Sequence, residues 1–130
     1  MLVDDNADDN FYHERVIRKN NAADHIIIQQ KAVDALHYLT SEKNDHPHPD
    51  LILLDINMPG MNGWEFLEEY NKLEKKFQSH AIVVMLTTSD NPDDKSKAAR
   101  SNVTSDFKIK PLTPLMLEEI IQKYFKNDAT

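Results

Sequence analysis

At 130 residues the chain is long enough for one domain that buries a small sheet under covering helices, and too short for two. Its net charge of −7, from 22 acidic against 15 basic residues, excludes the cationic surface that nonspecific nucleic-acid binding requires. No apolar run approaches the ~18 residues of a membrane span. Asp4 and Asp5 stand where a signal peptide would carry basic residues. With no cysteine there is no disulfide or thiolate metal site, which suits a cytoplasmic protein.

In chain order, apolar patterning alternates strand and helix. Met1 to Asp4 reads as the end of a first strand, and Asp8 to Lys19 as a helix whose acidic first turn complements its dipole. Ile26 to Ile28 are β-branched neighbours in a second strand, and Ala32, Ala35, Leu36 and Leu39 mark one face of a second helix. A polar loop from Ser41 to Pro49 follows. Its His46-Pro47-His48-Pro49 patch reads as solvated loop, since proline favours extended backbone and no Cys or His neighbour completes a metal site.

Leu51 to Leu54 form an uninterrupted apolar run that ends in Asp55, with a Pro-Gly turn just beyond. Such a run is the pattern of a parallel strand covered on both faces, although a buried helix segment shares it. Gly63 to Lys76 reads as a third helix with Phe66, Leu67, Tyr70, Leu73 and Phe77 inward. Ala81 to Leu86 is a fourth strand ending at Thr87, and Asp93 to Asn102 a short polar helix. Asp106 to Ile109 is a fifth strand, and Leu115 to Phe125 a last helix with Leu117, Ile120, Ile121 and Tyr124 on one side. There is no internal repeat. Five strand-helix units predict an α/β fold: a doubly wound, five-stranded parallel sheet between helical layers. The strand order is not legible. The first strand, with three residues before Asp4, is short against a mean of ~5 to 6, which suggests a native start upstream of Met1.

In open parallel sheets the carboxyl ends of the strands form the ligand crevice. There the sequence gathers Asp4 and Asp5, Asp55, the run Thr87-Thr88-Ser89, and Lys110-Pro111. A carboxylate pair at ~4 Å and an effective dielectric of ~20 repels by ~4 kcal/mol, and one lysine cannot balance three acids. Either pKa values rise or a divalent cation sits among them. Mg2+ is the natural candidate, because it takes hard oxygen ligands and often pairs one or two carboxylates with a phosphate. An exposed carboxylate with a metal, a lysine and a hydroxyl around it is a phosphoryl-transfer arrangement. Taken singly, Asp55 would be a strand cap, Lys110 a surface ammonium and Thr87 a β-former.

Leu2-Val3-Asp4-Asp5-Asn6, Leu53-Leu54-Asp55-Ile56-Asn57-Met58-Pro59-Gly60-Met61-Asn62-Gly63, Met85-Leu86-Thr87 and Phe107-Lys108-Ile109-Lys110-Pro111 together resemble the receiver domain of two-component response regulators. The resemblance covers essentially the whole chain and implies a flavodoxin-like fold of five strands and five helices. It places the phosphoacceptor at Asp55, the direct metal ligand at Asp5, and a ligand acting mainly through water at Asp4. Asn57 would offer a backbone carbonyl to the metal, Mg2+ or in its place Mn2+. Thr87 would bond a phosphoryl oxygen, Lys110 would pair with it, and Phe107 would be the switch aromatic. The Lys110-Pro111 bond is expected cis, a form that X-Pro bonds take at ≈ 0.5–1 kcal/mol. Asn57 and Ser89 lie where such domains tune hydrolysis.

By the same resemblance the phosphoryl donor is a sensor histidine kinase or phosphotransfer protein, docking on the first helix and on Leu112 to Pro114. The chain would be a single receiver domain over 1–130 with no output domain, signalling by protein contact or phosphorelay. Its output face would be the fourth helix, fifth strand and last helix, open to homodimerisation. It would not be a conventional enzyme, but would promote its own phosphotransfer and autodephosphorylation. Three other readings compete. A haloacid-dehalogenase-like phosphatase also uses an aspartyl nucleophile, but has a second acid where Asn57 stands. A flavodoxin-like electron carrier would need a phosphate loop where Asp4 to Asp9 is acidic. A receiver fold could also work as a phosphorylation-independent docking module.

Overall fold

The computed structural model describes residues 1–41, 47–73, 81–88, 91–100 and 104–125. Its ten elements follow the alternation read from the sequence: β1 (Leu2–Val3), α1 (Ala7–Lys19), β2 (Ile28–Gln29), α2 (Ala32–Thr40), β3 (Leu51–Leu54), α3 (Gly63–Asn71), β4 (Ile82–Thr87), α4 (Pro92–Arg100), β5 (Thr104–Ile109) and α5 (Pro114–Tyr124). The strands form one parallel sheet in the order β2-β1-β3-β4-β5.

The three central strands β1, β3 and β4 are apolar up to their carboxyl ends because both faces are covered, whereas the edge strands β2 and β5 carry Gln29, Asp106 and Lys108; successive residues of the central strands serve opposite layers. Val3, Ile52, Leu54, Val83 and Met85 point into a core with Ala32, Ala35, Leu39, Phe66 and Tyr70 of α2 and α3. Leu2, Leu53, Val84 and Leu86 point the other way, onto Val16 and Ile17 of α1 and Leu117 and Ile120 of α5. The result is the expected three-layer, flavodoxin-like arrangement.

Helix starts are set by short polar caps. Asn6 accepts the backbone N–H of Asp9 and opens α1; Asn62 and Glu65 form a reciprocal capping box at α3; Thr113 accepts from Met116 ahead of Pro114 at α5. These caps fix where α1 and α3 leave the sheet's carboxyl edge.

Several boundaries differ from the sequence expectation. β2 is Ile28–Gln29 rather than Ile26 to Ile28, because β1 offers partners only at Leu2 and Val3. Ile26 instead packs at the margin of the α1/α5 core. β5 begins two residues earlier than expected, at Thr104, opposite an irregularity in the ladder between Val83 and Val84. Within the described residues α3 ends at Asn71. Its expected extension to Lys76, the inward position of Phe77, and the positions of His46, Ser89 and Asn102 lie outside them.

Candidate functional site

β1, β3 and β4 end side by side, so Asp4 and Asp55, just beyond β1 and β3, and Thr87, the last residue of β4, are brought to one edge by pairing register: Val3 faces Leu54, and Leu54 faces Met85. Asp4, Asp55 and Thr87 are all buried, at 4%, 6% and 0% exposure, while Asp5 is exposed. Two carboxylates placed this deep need partners, and both find them in protein. Asp4 Oδ1 accepts the N–H of Asn6 at 2.9 Å, and Asp55 Oδ1 accepts that of Ile56 at 2.9 Å. The sharp exit of the chain after Asp55 depends on Gly63. Its N–H donates to the Ile56 carbonyl at 2.8 Å, and a Cβ there would lie 2.4 Å from the Asp55 carbonyl oxygen.

Lys110 enters from the end of β5. Its backbone N–H donates to the Thr87 carbonyl at 2.8 Å, and the bond to Pro111 is cis, as the resemblance implied. The ammonium lies 2.6 Å from Asp4 Oδ2, 2.7 Å from Asp9 Oδ2 and 3.7 Å from Asp55 Oδ2. Burial lowers the Lys110 pKa, but its hydrogen bonds to Asp4 and Asp9 and the charges of Asp4 and Asp55 outweigh that, so the net shift is upward. The Asp55 pKa is raised, first by burial and then by the charge of Asp4, against the opposing pull of Lys110, a Thr87 side-chain hydrogen bond and the Ile56 N–H. A carboxylate raised in this way is a more basic, better nucleophile once ionised.

Asp4, Asp5 and Asp55 each present an oxygen within 4.8 Å of the others, a hard-oxygen donor set of the kind Mg2+ and Mn2+ take. Three acids against one ammonium leave net negative charge for a cation to neutralise. Asn57 is exposed just beyond Asp55, and Phe107 is partly buried against the α2/α3 core, paired in register with Met85. His48 is exposed in its loop, apart from these acids.

Three residues of α1 complete the site and were not singled out by the sequence. Asn10 and His13 are buried at 3% and 2% exposure, and Asp9 reaches Lys110. Asn10 Nδ2 donates to the Asp4 carbonyl at 2.8 Å, while its Oδ1 has no hydrogen-bond partner among the described residues. His13 has its pKa pushed down by burial and by Lys110, against Asp9 and Asp4. The available signal was helical spacing: Asn10 and His13 share the inward face with Val16 and Ile17, and polar residues on such a face face something polar.

The fold and this edge define a doubly wound α/β domain with an acid–lysine pocket at its carboxyl end. A profile of the response regulator receiver domain matches residues 1–122, and the chain belongs to that family. It is 33% identical over 96 residues to the response regulator Rcp1 of Synechocystis, a match that covers 72% of this chain and 64% of that protein's length. Its structure resembles a two-component response regulator from Cytophaga hutchinsonii with a TM-score of 0.87 at 29% identity, covering 97% and 95% of the two chains. It also resembles the Mn2+-bound form of Rcp1, with a TM-score of 0.74 at 26% identity and 99% and 94% coverage. No helix among the described residues is long and apolar enough to cross a membrane.

Proposed function

We propose that Asp55 accepts a phosphoryl group from the phosphohistidine of a sensor histidine kinase or phosphotransfer protein, in a reaction dependent on Mg2+ or Mn2+, and that the domain then signals by protein contact or phosphorelay. The observation that carries this reading is the shared burial of Asp55, Thr87 and Lys110 at one strand edge, where a phosphoryl group on Asp55 finds both a cation and a hydroxyl.

An ionised Asp55 Oδ attacks phosphorus while the P–N bond breaks, and the imidazole leaves with the electron pair; the product is an acyl phosphate. Asp4, Asp5, Asp55 and the Asn57 carbonyl are the groups that would hold the metal, whose charge stabilises the transferring oxygens. Lys110 would neutralise charge on the phosphoryl group, and Thr87 would donate its hydroxyl to a phosphoryl oxygen. Later attack by water returns carboxylate and phosphate. The added charge of about −2 draws Thr87 toward Asp55. Phe107 then turns inward and changes the face formed by α4, β5 and α5, through which a homodimer forms. The donor docks on α1 and Leu112 to Pro114, where Phe11, Tyr12 and Leu115 are exposed apolar side chains. The setting is cytoplasmic, without nucleic acid or membrane, and the domain acts as a signalling module rather than a conventional enzyme. A haloacid-dehalogenase-like phosphatase is disfavoured because the exposed Asn57 stands where its second acid would be.

Incubation with acetyl phosphate and Mg2+, followed by intact-protein mass, tests the reading. One phosphate on wild type and none on Asp55→Ala is the expected result. Wild type without an adduct would mean a phosphorylation-independent docking module, and an adduct that survives on Asp55→Ala would move the acceptor elsewhere.

A further inference from the structure

The Lys110 ammonium has a carboxylate partner that phosphoryl transfer does not use. Asp9 Oδ2 lies 2.7 Å from Nζ, as close as Asp4 Oδ2 at 2.6 Å and an ångström closer than Asp55 Oδ2 at 3.7 Å. Asp9 stands in the first turn of α1, whose position is fixed twice over: Asn6 accepts the Asp9 N–H at 3.1 Å, and Asn10 Nδ2 grips the Asp4 carbonyl at 2.8 Å. The three acids differ in depth. The Asp9 side chain is 35% exposed, against 6% for Asp4 and 8% for Asp55.

Those differences set a division of labour. Asp4 and Asp55 belong to the oxygen set that converges for a divalent cation, whereas Asp9 does not. A cation held by Asp4 and Asp55 and an ammonium held by the same two residues would repel each other across a few ångströms. Asp9 gives Lys110 a partner outside that set, on the α1 side of the pocket. We infer that Asp9 is a positioning residue for Lys110: it shares the ammonium with Asp4 on the α1 side of the pocket and holds it an ångström farther from Asp55, so that the Asp55 oxygen stays open to a divalent cation and metal and lysine are accommodated together. The inference rests on the reading of the acid cluster as a metal-assisted phosphoacceptor site. Asp9 touches neither phosphoryl group nor metal in this scheme; it acts through Lys110.

Removing the Asp9 charge leaves Lys110 only partners that the metal also requires. Mn2+ alone is the probe, titrated by electron paramagnetic resonance into the full chain as wild type, Asp9→Asn, Lys110→Met and the double variant, with circular dichroism as the check on folding. The Asp9→Asn variant is expected to bind Mn2+ roughly fivefold more weakly, the size of one partly exposed ion pair. In the Lys110→Met background the same substitution is expected to change binding less than about twofold, because no ammonium remains to be placed. Asp9→Glu, which keeps the charge, restores most of the affinity. Equal losses with and without Lys110 would overturn the inference, since Asp9 would then be a bare charge near the ion. So would unchanged binding in Asp9→Asn. Should Lys110→Met fail to fold, the Lys110 ammonium resonance in wild type and Asp9→Asn decides: protons that exchange with water no faster in Asp9→Asn overturn it. Mn2+ binding needs no phosphate, so failure of phosphorylation in the acetyl phosphate experiment is read separately from failure here.

Discussion

Where the chain starts at Met1, the two edges of one sheet each hold a buried ammonium, and they treat it in opposite ways. At the carboxyl edge Lys110 is as deeply placed as Asp4 and Asp55, yet Asp4, Asp9 and Asp55 raise its pKa against burial. At the amino edge the Met1 ammonium donates to the Leu51 carbonyl at 2.6 Å and has the charge of Asp50 beside it, but burial outweighs them and its pKa falls to about 5. Around it lies a cavity of about 390 Å³ lined by apolar groups such as Ile26, Ile27, Leu51, Leu117 and Ile121. Depth therefore does not decide whether a cation keeps its proton here; the carboxylates beside it do. One edge is built to hold charge and the other to shed it.

The largest test of that contrast is pH. In a chain that starts at Met1 the terminal amine has a folded pKa of about 5 against 8.0 when free, so between these values the unfolded chain binds more protons. Stability from this group is complete above pH 8 and is lost as pH falls toward 5, by an upper bound of ~4 kcal/mol. Urea unfolding across that range should show the slope in the chain with a free amine and a smaller one after N-terminal acetylation. The acetamide N–H still donates to Leu51 but carries no charge. Identical slopes in the two forms would mean that the amine keeps its proton and the edges do not differ.

The next test deforms the charged edge without touching a charge. In Gly63→Ala the new Cβ meets the Asp55 carbonyl oxygen at 2.4 Å and the Ile56 Cα at 2.9 Å, and neither backbone atom can swing aside. A loss of ~3 kcal/mol is expected, with Asp55 displaced and phosphate uptake reduced. Gly60 is the control. Its φ of 75° strains any other residue, but nothing lies within 4 Å, so Gly60→Ala should cost only ~1 kcal/mol. Equal losses at the two glycines in thermal melts would show that the chain at Asp55 has room to move.

Much of the carboxyl edge could be read in advance because its residues follow directly from strand ends. The apolar run Leu51 to Leu54 predicts where Asp55 falls, Ala81 to Leu86 does the same for Thr87, and a two-residue period assigns alternate side chains to the two cores. What could not be read depends on docking between elements. Helical spacing can put Asn10 and His13 on the inward face of α1, but that this end of the helix, with Asp9, meets Asp4 and Lys110 depends on how α1 docks on the sheet, which no local pattern encodes. For the same reason the sequence points to Lys110 as a counter-ion for the acids in general, while its placement nearer Asp4 and Asp9 than Asp55 is a tertiary fact. β2 was misplaced by two residues at its start because three consecutive isoleucines look like strand, but a strand extends only where its neighbour offers hydrogen bonds.

A smaller effect, of opposite sign, is expected at Asp55. Its folded pKa is raised, so its contribution to stability is complete at pH values below its unfolded pKa and is lost as pH rises through the folded one. At neutral pH, without metal, the ionised carboxylate burdens the fold. Asp55→Asn should therefore be more stable than wild type by about 1 kcal/mol, and the gain should vanish in acid. Saturating Mg2+ should reverse the order, because only wild type retains the full oxygen set. A variant less stable than wild type in metal-free buffer would show that Lys110 already balances the pocket.

The smallest expected effect concerns how the charged edge reaches α4. That helix buries only Ala98 among its residues, so few core contacts hold it. Trp64 ties it to α3: Nε1 donates to Asp94 Oδ1 at 3.3 Å, and Lys97 Nζ sits 4.9 Å from the ring centroid. Because the Gly63 N–H is bonded to the carbonyl of Ile56, Trp64 stands one residue from the chain that carries Asp55. Trp64→Phe removes the N–H and weakens the cation–π contact, a loss of ~0.5–1 kcal/mol. Amide exchange should quicken in α4 and stay unchanged in β4, where Val83 to Leu86 are fully packed. If exchange in α4 did not change, β5 rather than α3 would be what holds the helix, and a signal from Asp55 would have to travel through Thr87 and the sheet instead of around its rim.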